Sequence, residues 1–242
     1  MRKLITLTLA IVSIIAVALV GVWPAQATET DSRGQGHSLV FNHHAHPYGQ
    51  SLATWTERWW QWTMGVPFAH NPSVDPIGAD CGVGQPGGHV WYLGTTFNSA
   101  SATRSCSVPK GQAILVNLSG TLNDYPCPFP GFEPAPGQTL EDFLAAGAKG
   151  AADRIDGLTL TIDGVEISGL FDYRAATRLF TFTGDPTMRA IDSCVTGTAQ
   201  AAVADGYMIV VKPLSKGVHS LVTTGHSIGG TSLTVSYTIT VT

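Results

Sequence analysis

The chain has 242 residues with 13 basic against 17 acidic side chains and a formal net charge of −4, and its sparse charges form no basic run, which argues against nucleic acid as a partner. With 44% hydrophobic residues it is long enough to bury one large core. The spacings of Cys81, Cys106, Cys127 and Cys194 fit no zinc-site pattern.

The N-terminus predicts export. Arg2 and Lys3 precede an apolar run over 4–22, and Ala25-Gln26-Ala27 forms a small-residue cleavage site, so residues 1–27 are expected to be a signal peptide removed before Thr28. No later stretch is long enough to span a bilayer, so the mature protein is expected to be secreted or periplasmic with no membrane partner. Residues 28–50 are polar and predict a flexible histidine-containing arm. There His43, His44 and His46 are the candidate metal ligands, because on an extended segment His44 and His46 point the same way. A metal centre also needs a rigid frame and supporting partners, which such an arm lacks, so the expectation is no cofactor.

The next segment is the least ordinary in composition: Trp55, Trp59, Trp60 and Trp62 crowd into 51–65. At 100° per residue Trp55, Trp59 and Trp62 share one helical stripe with Leu52 and Val66, which predicts a core-facing helix. Ser51, or a Thr54-x-x-Glu57 capping box, can start it, and Gly65 followed by Pro67 can stop it. Each indole would bury about 150–250 Å², an upper bound of about 4–6 kcal/mol, so the stripe alone can anchor a domain. Trp60 lies about 100° off the stripe and needs a second partner. Packing under a loop is the ordinary fate of such a ring. The functional alternative is a platform for a sugar ring or other small ligand, with Trp60, Glu57 and Gln61 as the candidate binding set.

Beyond the helix, turn-rich stretches at 71–72 and 80–88 lead to strand-like runs at 90–93, 104–108 and 113–118. Five prolines within 123–137 exclude helix and central strand there. A second helix is expected from Thr139 to about Arg154, burying Leu140, Phe143, Leu144 and Ala148. Strands then follow at 158–162 and 165–167 about an Asp163-Gly164 turn, and at 179–183, 207–212, 218–223 and 232–241. Many short strands with two or three peripheral helices predict a mainly β protein, an antiparallel β-sandwich or jelly roll, forming one domain over 51–242.

In an exported chain the four cysteines are expected as two disulfides. Cys81 and Cys106 flank the 89–96 strand region, and Cys127 and Cys194 both sit in proline- or aspartate-marked loops, so the expected pairs are 81–106 and 127–194. In the chain-entropy view each contributes about 3–4.5 kcal/mol.

The catalytic motifs are weak. Gly225-His226-Ser227-Ile228-Gly229 is a formal G-x-S-x-G, yet no Asp, Glu or His follows Ser227, and the chain after it reads as strand rather than helix. A glycine-rich hairpin turn accounts for the same residues. Glu57, Asp124 and Asp172 are carboxylates whose separation, decisive for a glycosidase, sequence does not give. No catalytic residue is therefore assigned.

The succession Trp55-x3-Trp59-Trp60-Gln61-Trp62, Asn71-Pro72-x2-Asp75-x2-Gly78-x2-Cys81-x3-Gln85, Arg104-x-Cys106-x-Val108-Pro109-x-Gly111, Asn123-Asp124-Tyr125-Pro126-Cys127-Pro128 and Phe171-Asp172-Tyr173-Arg174 resembles a group of bacterial secreted proteins of unknown function. The resemblance covers most of the expected mature chain and implies export and a single domain. It carries no activity, cofactor or catalytic residue. The leading expectation is an exported non-catalytic binding or surface module for carbohydrate or another small ligand. The rival is a secreted hydrolase or metal-dependent enzyme using the loop carboxylates or the histidine arm.

Overall fold

A computed structural model describes Gly36 and residues 38–97, 99–230 and 232–242; the expected signal peptide and residues 28–35 and 37 of the expected arm lie outside them. The described residues form nine strands and two α-helices. The strands are β1 (Val90–Tyr92), β2 (Ser101–Val108), β3 (Ala113–Tyr125), β4 (Ile155–Ile162), β5 (Val165–Glu166), β6 (Phe180–Thr183), β7 (Ala199–Val211), β8 (Gly217–Ser227) and β9 (Leu233–Val241). The helices are α1 (Leu52–Gly65) and α2 (Leu140–Ala152). One sheet has the order β1-β3-β7-β6 and the other β2-β9-β8-β4-β5, so the protein is mainly β, as its strand pattern predicts. The sheets are not wholly antiparallel: β1 runs parallel to β3 and β2 parallel to β9. Both parallel strands sit at sheet edges and arrive from the long connection after α1 rather than from hairpins.

Burial reveals which sheet lies in the middle. In β2 and β9 inward and outward residues alternate, as in a sheet with one solvated face. Residues 202–211 of β7 and 113–118 of β3 are buried without interruption, because this sheet is covered on both faces. α1 lies against β3, β6 and β7. The Ser51 side chain, rather than Thr54, caps it by accepting from the Thr54 N–H at 3.2 Å. At its other end the Asn71 amide donates to the carbonyls of Thr63 and Val66.

A register shift between Asn117 and Ser119 divides β3. Beyond it, residues 119–125 pair with 201–207, and α2 packs over this half, where Leu144, Ala148 and Val203 make a small second core. The backbones approach closely here: a β-carbon on Gly206 would stand 2.6 Å from the Ser119 carbonyl oxygen. Both expected disulfides are present. The first ties the loop after α1 to β2, and the second ties the proline-rich loop after β3 to the segment before β7.

The described part of the expected arm belongs to the fold. Val40 is buried and bridges Val211, Phe41 N–H donates to Val210 at 2.9 Å, and Lys212 N–H donates to Leu39 at 2.8 Å. Backbone pairing with β7 and burial of Val40, neither announced by the polar composition, override the expectation of flexibility over 38–50.

Candidate functional site

The tryptophan stripe is buried as its spacing predicts, with Trp59 fully enclosed and its indole N–H donating to Leu93 at 2.8 Å. Trp60 is also buried. Its ring stacks on Phe97 with centroids 6.1 Å apart and meets Trp59 edge-on at 5.0 Å. It is no open platform; it edges a depression of about 370 Å³ with Phe97, Thr121, Leu122 and Asp192. Gln61 bonds Glu57 at 3.2 Å and the Thr181 carbonyl at 3.0 Å, so the candidate trio of Trp60, Glu57 and Gln61 does not share one cavity.

Gln61 instead lines a cleft of about 690 Å³ on the other side of α1. Trp55, Arg58, Gln61, Trp62 and Gly65 supply one wall, from successive turns of a single helical face. The loop 84–88 with His89 forms the opposite wall, and Tyr48 contributes at the rim. Trp55 and Trp62 both meet Tyr92 edge-on, at 6.3 and 5.6 Å, which builds an aromatic floor. Their indole N–H groups are satisfied by Pro47 and Val83 carbonyls.

This cleft is held in shape from several sides. The 81–106 disulfide anchors the start of the loop wall. Gln85 then donates to the Cys81 and Tyr92 carbonyls and accepts from Tyr92 N–H at 2.9 Å. Gly84 has φ +66° and lies where a β-carbon would be 2.6 Å from Val66 and 3.3 Å from the Trp62 indole nitrogen, so only glycine brings the loop so close. At the rim Tyr48, a non-glycine residue at φ 56°, stacks on His89 with centroids 5.1 Å apart. Such a backbone is costly unless its surroundings enforce it, and it holds the ring over the cleft.

Arg58 is the cation of the cleft. Its guanidinium lies 5.3 Å from the centroid of the Trp55 ring, a cation–π contact that orients it without consuming its N–H donors. Among the described residues it has no hydrogen-bond or ion-pair partner, and no carboxylate lines the cleft. Sequence reasoning overlooked Tyr48, Arg58 and the glycine loop as site residues. A signal existed: the helical neighbours of Arg58 three and four residues away are Thr54, Trp55, Gln61 and Trp62, none of them acidic.

The catalytic alternatives are placed as follows. His43 and His44 have ring centroids 4.0 Å apart, and His43 also meets Tyr173 edge-on. Among the described residues His43, His44 and His46 do not form a three-ligand metal cluster. The group with suitable spacing is Asp124, Asp192 and Cys194, but the Cys194 sulfur is committed to a disulfide. Asp124 is buried, accepts from Gln200 and is pushed up to about 7, first by burial and then by the charge of Asp192. Glu57, Asp124 and Asp172 do not gather in the 690 Å³ cleft.

A serine, a histidine and an aspartate do meet near the start of β8. His219 Nδ1 is 2.7 Å from Asp163 Oδ2, and its Nε2 is 3.5 Å from Ser215 Oγ. That Nε2 is nearer, at 2.9 Å, to the Ser215 carbonyl oxygen, which only accepts. With acceptors facing both ring nitrogens, the geometry suits the protonated imidazole, which has no lone pair for the serine proton. Its pKa is raised chiefly by the Asp163 bond, consistent with a structural ion pair. Ser227 of the formal G-x-S-x-G ends β8 and accepts from Gly230 N–H in the turn to β9, as a hairpin requires.

No family model matches the chain, and no characterised protein matches it in sequence. A solved structure of PbICP-C in complex with falcipain-2 aligns over 64% of this chain and 100% of that one, with a TM-score of 0.27 and 11% identity. Among the described residues no helix is long and apolar enough to cross a membrane.

Proposed function

We propose that this protein is an exported, non-catalytic binding module that holds a carbohydrate or similar ring-shaped ligand in the cleft between α1 and the 84–89 loop. One observation carries the reading: the cleft presents two exposed aromatic rings, Tyr48 and His89, at its rim beside Arg58 and Gln61, and its walls are fixed by a disulfide, a side-chain amide and a close-packed glycine. Exposed aromatic rings favour packing against a sugar ring, and a preformed wall lowers the ordering cost of binding. Two disulfides suit an oxidising compartment, which supports export together with the signal-peptide pattern and the resemblance to secreted bacterial proteins.

The test is titration of a saccharide panel, neutral and acidic, followed by indole fluorescence, on wild type and on Tyr48→Ala/His89→Ala. Both substituted residues are exposed, so the double variant is expected to fold. Saturable binding that weakens at least tenfold in the variant supports the reading. Absence of binding across the panel, or undiminished binding by the variant, overturns it.

A second reading, a hydrolase, draws on Asp124, whose carboxyl is pushed up by burial and by the neighbouring Asp192 at the Trp60 depression, since a carboxyl that holds its proton can serve as a general acid. Turnover of a chromogenic glycoside or peptide that disappears in Asp192→Asn would favour it over binding alone.

A further inference from the structure

The cleft has an electrostatic character opposite to that of the chain. The protein carries 17 acidic residues against 13 basic, yet the walls of the cleft contain Arg58 and no carboxylate. Arg58 could have been neutralised cheaply by an acid three or four residues away on the same helix, and Glu57 is its sequence neighbour. Glu57 is instead bonded to Gln61, and the guanidinium rests on Trp55. A guanidinium stacked on an indole keeps its planar fork of donors for something else, and that fork matches a carboxylate in two parallel hydrogen bonds. The exposed Tyr48–His89 rim and the cation therefore ask for a ring that bears an anion.

We infer that the cleft selects acidic saccharides: a sugar ring packs against the exposed Tyr48 and His89 rings at the rim while its ring-borne carboxylate pairs with Arg58. The inference rests on the cleft being a saccharide-binding site and adds the class of sugar. Neutral sugars make the stacking contact alone. A uronate adds a charge-assisted, bidentate pair, an effect of about tenfold in affinity. No carboxylate in the lining repels the ligand.

The experiment uses oligogalacturonate and its methyl ester, which keeps the ring and removes the charge. Both are titrated by calorimetry against the intact protein and against R58Q and R58K. Arg58 is exposed on α1, so each variant is expected to keep the wild-type circular dichroism and melting temperature within a few degrees. The expected result is at least tenfold tighter binding of the acid than of the ester by wild type, a preference lost in R58Q and partly kept in R58K. Equal binding of acid and ester by wild type overturns the acidic preference while leaving the cleft a saccharide site. Binding of neither overturns the acidic preference. If the wider saccharide panel also fails, the binding reading falls with it. A preference for the acid that survives R58Q undiminished overturns the role of Arg58.

Discussion

The side-chain amide of Gln85 pairs with both backbone groups of Tyr92, donating to its carbonyl at 2.8 Å and accepting from its N–H at 2.9 Å. It takes the place of a neighbouring strand along β1, and a third bond, to the Cys81 carbonyl, folds the loop back on itself. An edge strand as short as β1 gains fixed geometry from this pairing, and Tyr92 is the residue on which Trp55 and Trp62 rest.

Gln85→Ala is therefore expected to cost about 1–3 kcal/mol of stability by leaving Tyr92 N–H unpaired, with a parallel loss of ligand affinity. Gln85→Glu should be no better. A carboxylate can accept from Tyr92 N–H, but it places negative charge against the two carbonyls that the amide donates to. Urea denaturation of wild type and both variants checks this. A Gln85→Glu midpoint at or above wild type would show that the donor half of the pairing contributes nothing.

Arg104 is buried within β2, its guanidinium donating to the carbonyls of Asp75, Gly94 and Thr95 and to the Tyr237 hydroxyl. These partners gather the long connection between α1 and β3 onto the second sheet. Burial pushes the Asp75 carboxyl up, but N–H bonds from Asp80, Ile77 and Gly78 and the charge of Arg104 outweigh it and hold it below the usual value. Arg104→Ala removes four hydrogen bonds, leaving the Asp75 and Thr95 carbonyls without this donor while Gly94 and Tyr237 keep the bond to each other, and is expected to destabilise by about 3–5 kcal/mol. Arg104→Lys keeps the charge but loses the fork, and should recover only part of that loss. Chemical denaturation of the two variants gives the ordering; a lysine variant as stable as wild type would mean that charge alone suffices.

Legibility in the sequence tracked how local each signal was. The tryptophan helix, the alternation of β9 and the two disulfides depend on neighbouring residues or on loop position, and all were readable. The halves of β3 and β7 over 119–125 and 199–206 were not. They contain Gly120, Asn123, Asp124, Ala201, Ala202, Ala204 and Gly206, residues of low strand propensity that are there because α2 and the facing backbone come close. The parallel pairings of β1 and β2 were also hidden, since they are settled by distant chain segments. The candidate site was half legible: the indoles were seen, but which side of α1 faces a cleft depends on where the 84–89 loop returns.

Asp124 makes stability pH-dependent in a definite direction. Its folded-state pKa is pushed up to about 7 by burial and by Asp192, from an ordinary value of 3.8, so the folded protein holds a proton that the unfolded chain releases. Its contribution is complete below about pH 3.8 and is lost as pH rises through 7. Asp124→Asn, which mimics the neutral form, should flatten the fall in stability between pH 4 and 7. Melting temperatures across that range measure it. A wild-type slope unchanged in the variant would place the titration elsewhere.

The His219–Asp163 pair gives a second pH signature at a different midpoint. Hydrogen bonding to Asp163 raises the imidazole above 6.5, and the bond in turn holds the Asp163 carboxyl below 3.8 against the opposing effect of its burial. Between those values both partners are charged, so the stabilisation is present below pH 6.5 and fades as pH rises through the folded-state value. Asp163 is 46% exposed, and solvent screening keeps the effect below about 1 kcal/mol. His219→Gln should thus be less stable than wild type just below pH 6.5, and the difference should shrink as pH rises through the folded-state value. The same proton inventory speaks to catalysis. An imidazole that must shed its Nε2 proton from the Ser215 carbonyl before it can serve as a base is held in the wrong state, so Ser215→Ala should leave any ester hydrolysis by the protein at the wild-type rate. A rate that falls with Ser215→Ala and rises with pH in wild type would show instead that the imidazolium gives way to a working base.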